Sequence, residues 1–382
     1  MKFTSEVTHL SQKGLGVARN EEEGISYFVF GAWPGDRGEF EIINRPLNNK
    51  KYGYAKLLQL ISASAQRQQP ECTFLGSNED SCSGCPWMIA NYESQLEQKR
   101  NRLIYAMKRI GFETRQLNVS NVQPSPHLYG YRNRFQVKTD GEKLGFVVEG
   151  SHNIAPVGDC MVLNDTCRNL LKGMLASLPR EDWLPGTGYD WNFIDLDDDF
   201  SAELIRLNQK RPFKQGNTTQ NEWIKSWLRA KLKENSSVGK IVELFCGSGN
   251  FTEVIAESAC SEVIAYESGL DAIKLLRAKN LAKVDAQPVD LFKPFIWKIL
   301  RKRIADADTL VLDPPRAGLK NMKGFFEHFI ALKTIYYISC DPETFARDAW
   351  AFSKKGWSIT EIQLVDLFPH TPHVETLAVL KK

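Results

Sequence analysis

The chain has 382 residues, 42% of them hydrophobic and 25% charged, and its formal net charge is +3. That length exceeds one ordinary hydrophobic core, so two or three domains are expected. The absence of any apolar run of about 18 residues argues against a helical membrane span, and MKFTSEVTHL lacks an apolar signal stretch, so the expected location is the cytoplasm.

In chain order, FTSEVTHL, GISYFVFGAW and RGEFEII are short strand-like runs separated by the turns KGLG and PGDRG. They predict a small β-barrel of the oligonucleotide-binding type over residues 1–60. Residues 66–90 are polar, rich in turn residues and without periodicity. Cys72, Cys82 and Cys85 fall here, and in a reducing compartment such a cluster points to metal ligation before disulfides. Residues 90–110 predict a helix with Leu96, Leu103, Met107 and Ile110 on one stripe and Gly111 as its stop. Strand character returns in YRNRFQVKTD, KLGFVVEG and AELIRLNQ. An acidic stretch with Asp190, Asp195, Asp197, Asp198 and Asp199 interrupts it and is expected to face solvent. A central α+β domain thus spans 61–212. From 213 to 382, helix and strand alternate (the helix TQNEWIKSWLRAKLKE; the strands KIVELF, EVIAYE, ADTLVLD, TIYYIS, TLAVL), which predicts a doubly wound α/β sheet.

KIVELFCGSGNFTEVIA reads as buried strand, glycine turn and helix. Gly247 and Gly249 permit a sharp turn and close backbone approach to a ligand, with Phe245 in the same loop. Glu267, at the end of the next strand, is placed to accept hydrogen bonds from ribose hydroxyls, and Asp290 follows the third strand, near an adenine. CGSGN is neither a dinucleotide fingerprint nor a P-loop. Three further segments end strands of the same sheet: LVLDPPRAG with Asp313 and Arg316, YYISCDPETFARD with Cys340, and DLFPHTPHVET with Glu375. A thiolate adds to an electron-poor ring carbon and makes its neighbour nucleophilic, and a carboxylate then removes a proton. Those are the roles open to Cys340 and Glu375.

DPPRAG, SCDPETFARD and FPHTPHVET, with ELFCGSGNF and FKQGN, resemble in order the motifs of the RNA 5-methyluridine methyltransferases, in particular the 23S ribosomal RNA branch. VTHLSQKGLGVAR and WPGDRGEF are similar to the TRAM domain of that branch, CSGCPWMIANYESQLEQKR to its cysteine segment, and LGFVVEGSHNIAPVGDCMVL to the stretch with its fourth cysteine. The resemblance implies a class I, Rossmann-like methyltransferase domain, S-adenosyl-L-methionine as methyl donor, Cys340 as nucleophile and Glu375 as base. It implies Gln215, Glu267 and Asp313, and also Phe213 and Asp290, at the cofactor and substrate site.

Cys72, Cys82, Cys85 and Cys160 would be four thiolate ligands, a set that suits zinc or an iron–sulfur cluster; the resemblance implies a 4Fe–4S cluster. For RNA, the basic and aromatic alternation at Tyr131, Arg132, Arg134 and Phe135, with Lys138, predicts a phosphate-contacting strand, and Arg206, Lys210, Arg211 and Lys214 add a basic approach to Gln215. The expected partner is 23S ribosomal RNA, with transfer RNA as the alternative, and the enzyme is expected to be a monomer. A methyltransferase acting on an amino group, or an RNA-binding protein without catalysis, would need no nucleophilic Cys340.

Overall fold

The computed structural model describes residues 1–46, 52–76, 78, 80–113, 117–148, 151–200, 205–235 and 239–382. Its elements are β1 (Lys2–Leu10), β2 (Gly16–Asn20), β3 (Ile25–Val29), β4 (Arg37–Asn44), β5 (Tyr52–Ser62), α1 (Tyr92–Ile110), β6 (Val119–Gln123), β7 (Arg134–Thr139), β8 (Leu144–Val147), β9 (Ile154–Pro156), α2 (Asp165–Ala176) and β10 (Asn192–Asp197). There follow α3 (Thr218–Glu234), β11 (Lys240–Leu244), α4 (Thr252–Ala256), β12 (Glu262–Glu267), α5 (Leu270–Ala278), β13 (Val284–Pro288), α6 (Ile296–Ile304), β14 (Thr309–Leu312), α7 (Met322–His328), β15 (Thr334–Ser339), α8 (Pro342–Ser353), β16 (Ser358–Val365) and β17 (Glu375–Lys381).

Two compact units form, and they are not the contiguous blocks 1–60, 61–212 and 213–382. One contains residues 1–98, 126–211 and 368–372; the other contains 99–125, 212–367 and 373–382. In the first unit, β1 to β5 close a barrel in the order β1-β2-β3-β5-β4, filled by Val7, Ala18, Tyr27, Val29, Phe40 and Ala55. The barrel expectation holds, with β2 and β5 added to the strands legible in the sequence. A second sheet runs β10-β7-β8-β9 and buries Phe135, Val137, Ile194 and Leu196 against Leu171 and Met174 of α2. AELIRLNQ forms no named strand among the described residues; Leu207 makes one isolated bridge to Ile194, and residues 202–204 lie outside the described residues, as do 149–150 at the end of KLGFVVEG.

In the second unit the sheet order is β13-β12-β11-β14-β15-β17-β16-β6. Strands β11, β14 and β15 (KIVEL, TLVL, TIYYIS) are buried along almost their whole length, as central parallel strands covered by helices must be. The order reverses between β11 and β14, so a crevice opens at the carboxyl ends of β11, β12 and β14. β17 inserts antiparallel between β15 and β16. β6 was not foreseen: five residues from within the expected central block 61–212 pair in parallel with β16 and extend this sheet.

Within this unit Lys99 of α1 meets Asp366, one residue past β16, at 2.5 Å, both side chains fully buried. An ion pair without water stands only while both partners are present. Asp366→Leu alone should destabilise the protein by about 3–5 kcal/mol in chemical denaturation, by stranding the Lys99 ammonium. The double variant Lys99→Met/Asp366→Leu should recover most of that loss.

Candidate active site

The loop after β11 owes its shape to three residues in the left-handed region, Phe245 (φ 65°), Gly247 (φ 55°) and Gly249 (φ 93°). A Cβ on Gly249 would lie 2.5 Å from Leu276 Cδ1, so no larger residue fits there. Glu267 ties the loop to the next strand end: its carboxylate accepts the N–H of Gly247 (3.3 Å), the N–H of Gly269 (2.8 Å) and the hydroxyl of Ser268 (2.9 Å). A carboxylate offers about four acceptor positions, so little more than one remains for a ligand hydroxyl. Past β13, Asp290 is exposed and accepts the N–H of Phe292, whose ring lies 5.7 Å from that of Phe245. Gln215 is partly buried two residues before Asn217, the N-cap of α3, and Phe213 is 67% exposed. Asn221 of α3 exchanges two amide hydrogen bonds with Asn250 of the glycine loop, both 2.9 Å.

Asp313 follows β14 and Cys340 follows β15, where Asp341 caps α8 by accepting the Thr344 N–H at 2.8 Å and Pro342 takes the first helical position. Glu375 opens β17. Because Ser339 pairs with Thr376 in the antiparallel register, Cys340 stands opposite Glu375. The loop 313–319 is held on α8: Thr344 Oγ1 donates to Arg316 O (2.8 Å), Arg347 donates to Ala317 O (2.9 Å), and the buried Asp348 accepts the Leu319 N–H and the Tyr337 hydroxyl, both 2.8 Å. The spacing of DPPRAGL and ETFARD is thus a packing requirement as well as a chemical one.

Four carboxyl groups share this sheet edge. Burial, and then the Asp313 charge, pushes Glu375 up to about 8 from its ordinary 4.5, with Arg316 pulling the other way. Asp313 rises to about 7, through lost hydration and the charge of Glu267. Glu243, 1% exposed near the end of β11, rises to about 8 through burial, against the hydrogen bond it accepts from Thr252 Oγ1 at 2.5 Å. The Cys340 thiol, half-buried, is pushed to about 12 by burial and by Glu375 and Asp313, against the pull of Arg316. Such a site holds its thiol protonated and favours a cation, and it leaves a thiol and a carboxyl on two facing strands.

Compared with known proteins, the chain is 62% identical over 382 residues to an uncharacterised RNA methyltransferase of Nitrosomonas europaea, spanning 100% of this chain and 97% of that relative. The family model of the tRNA (uracil-5-)-methyltransferases matches residues 298–382, which hold Asp313, Cys340 and Glu375. The chain belongs to the S-adenosylmethionine-dependent RNA uracil-5 methyltransferases. The 23S rRNA (uracil(1939)-C(5))-methyltransferase of Shewanella piezotolerans is 26% identical over 451 residues, covering 100% of this chain and 96% of the relative. In fold, the chain is similar to the tRNA (uracil-54, C5)-methyltransferase of Pyrococcus abyssi in complex with S-adenosyl-L-homocysteine, with a TM-score of 0.70, 23% identity, and 99% and 100% of the two chains covered.

Of the residues expected in this methyltransferase's site, Cys340, Glu375, Asp313, Arg316, Glu267 and Gly247 stand at one sheet edge, each adjacent to at least one of the others. Glu243 was missed; its signal was a single carboxylate in the otherwise apolar strand KIVEL. One expectation, that the acidic stretch faces solvent, needs correction. The Arg134 guanidinium makes two hydrogen bonds to Asp195 (2.6 and 3.2 Å) and a third to Arg211 O. Arg211 in turn pairs with Asp197 at 2.6 Å. The acidic stretch accordingly contains strand β10, whose Asp195 and Asp197 are buried, because arginines of neighbouring chain segments compensate them. Arg132 points its charge toward Cys82, Cys85 and Cys160, and its Cζ lies 5.8 Å from the Phe368 ring centre. Lys138 lies over the rings of Trp191 and Phe193 at 3.7 and 4.7 Å.

In the first unit, Cys72, Cys82, Cys85 and Cys160 line one cavity, walled by Phe74, Leu75, Met88, Phe146 and Val157. All four thiols are half-buried and free of disulfides. Gly84 N–H points at Cys82 Sγ at 3.4 Å. Burial pushes the thiols of Cys82, Cys85 and Cys160 up, and the Arg132 charge opposes it. Cys167, Cys246 and Cys260 are buried and packed.

Raised carboxyl values have a defined consequence for stability. The folded protein holds the Glu375 and Asp313 protons more tightly than the unfolded chain does. The stability they supply is full below their ordinary values of 4.5 and 3.8 and is lost as pH rises through about 7 to 8. Urea midpoints of the ligand-free protein should therefore fall between about pH 4 and 8. Glu375→Gln and Asp313→Asn should each flatten that decline; an unchanged slope would place the titrating groups elsewhere.

Proposed function

We propose that the enzyme methylates C5 of a uridine in 23S ribosomal RNA through a covalent intermediate on Cys340. The observation that carries this reading is the β15–β17 register, whose Ser339–Thr376 pair puts Cys340, one residue on, opposite Glu375. The Cys340 thiolate adds to C6 of the flipped-out uracil, forming a C–S bond and moving the C5=C6 electron pair onto C5 as an enolate. C5 takes the methyl group, whose bond to the donor sulfonium breaks with the electron pair staying on sulfur. Glu375 then removes the C5 proton, the double bond re-forms, and the thiolate leaves.

The other residues follow from their positions. Gly247, Phe245, Glu267, Asp290, Asp313 and Gln215 are assigned to S-adenosylmethionine, whose sulfonium charge would lower the pKa values of Cys340 and Glu375, so that each gives its proton to solvent before the thiolate adds and the carboxylate acts as base. Arg316, reaching His373 at 3.5 Å, is assigned to the uracil side, and the exposed Phe213 ring to base stacking. The N-terminal barrel is read as a TRAM-type RNA-binding domain, and the enzyme as a cytoplasmic monomer. The full-length likeness to a 23S enzyme supports the ribosomal target; the family model, named for transfer RNA, supports the T-loop uridine as the second reading.

Cys72, Cys82, Cys85 and Cys160 are assigned to a 4Fe–4S cluster. Four soft donors in one apolar cavity, with an arginine beside them, fit a group that binds thiolates and leaves negative charge to balance. The resemblance of the cysteine segments to those of the ribosomal RNA branch supports a cluster over a single zinc ion. Its role is structural, ordering a segment with little core of its own.

Anaerobically purified protein should label unmodified 23S ribosomal RNA with methyl groups from radiolabelled S-adenosylmethionine at a defined uridine; label in transfer RNA alone would establish the second reading. Cys340→Ala should abolish turnover, and retained turnover would sink the mechanism. Glu375→Gln should slow turnover by about 10²- to 10⁴-fold while a covalent, already methylated RNA adduct accumulates. Anaerobic protein should contain about four iron atoms per chain, and Cys85→Ala should lose them.

A further inference from the structure

Resting on that reading, we propose that Trp87, Gln95 and Tyr131 are positioning residues for Glu375, acting through the segment Phe368–Pro372. The chain leaves the catalytic sheet after Asp366 and re-enters it at Glu375. Between those points, Phe368–Pro372 belongs to the unit that carries the barrel and the four cysteines.

Inside that unit the segment is held on almost every residue. Trp87, two residues after Cys85, donates its backbone N–H to His370 O at 2.9 Å. Gln95 Oε1 accepts the His370 N–H at 2.9 Å, and its amide nitrogen is fixed by Ala90 O at 2.8 Å. The Tyr131 hydroxyl donates to Pro369 O at 3.1 Å. The Tyr129 ring stacks on His370, and Arg132, beside the cysteines, lies over Phe368. Trp87 Nε1 donates to Gly14 O at 2.8 Å, and a Cβ on Gly14 would come within 2.5 Å of Pro372, so the barrel loop KGLG is shaped to the segment. His370 and Thr371 are buried, and His370 sits at φ 67°, a conformation that a non-glycine residue keeps only when its surroundings impose it.

Every side chain or backbone group in this list lies on the cysteine segment, on the helix start that follows it, on the strand approach beside the cysteines, or on the barrel. Glu375 is three residues beyond Pro372. The order of the cysteine site thus restricts the backbone through which the chain reaches Glu375, and the cluster acts from outside the reaction by holding this segment.

The test combines hydrogen exchange with adduct partitioning. In Tyr131→Phe and in Gln95→Met, amides of 368–372 should exchange roughly five- to tenfold faster, as losing about one hydrogen bond predicts, while β11 and β12 keep their protection. Iron-loaded protein stripped anaerobically should show faster exchange in the same segment. With RNA, both variants should form the covalent adduct at the unvaried rate, with the same KM for S-adenosylmethionine, yet resolve it several-fold more slowly. A residue of purely structural importance would depress formation and resolution together. Unchanged exchange at 368–372 in both variants, or parallel loss of both steps, would overturn the proposal. Exchange needs no RNA, so failure of the unvaried enzyme to methylate any RNA would count against the functional reading alone; protein that binds no iron would count against the cluster alone.

Discussion

Glu243, Glu267, Asp313 and Glu375 crowd one sheet edge together with the Cys340 thiol, and the cost of keeping negative charge there governs the site. Each carboxylate lost water when the strands packed, and each raises its neighbours. The protein meets the cost by retaining protons on Glu243, Asp313 and Glu375 near neutrality, and by tying Glu267 to backbone N–H groups of the glycine loop. Cys340, with two of these carboxyls beside it and Arg316 opposing them, rests as a thiol. A site of this kind is discharged by the arrival of positive charge, which is what a sulfonium donor brings.

The same accounting explains the first unit. Asp195 and Asp197 could enter a strand only because Arg134 and Arg211 came with them, and that pairing withdraws two cations from the surface. Arg132 is drawn instead to a cavity of four thiols. Of the basic residues that precede Gln215, Arg206 and Lys210 are exposed.

Much was legible without coordinates. Apolar runs bounded by turn residues marked β11, β12, β14, β15 and β17, and the amphipathic stripe marked α1 within two residues. The positions of Asp313, Cys340 and Glu375 followed from a rule about strand ends. What escaped was short or mixed in pattern: β6, whose five residues acquire meaning only beside β16; β10, whose carboxylates read as solvent-seeking; and Glu243, hidden in a buried strand. Val119–Gln123, inside the expected block 61–212, joins the sheet beside β16, because strand pairing is indifferent to distance along the chain.

By itself, the sequence determined the candidate site residues, the parallel sheet that gathers them and the cysteine set, because local periodicity and side-chain chemistry are properties of neighbouring residues. Only the tertiary structure decided which charges neutralise one another, which thiol stands beside which carboxyl, and that residues 368–372, shortly before β17, pack in the cysteine-bearing unit. Those outcomes depend on burial and on pairs brought together from distant points of the chain, and neither is written in any one stretch of it.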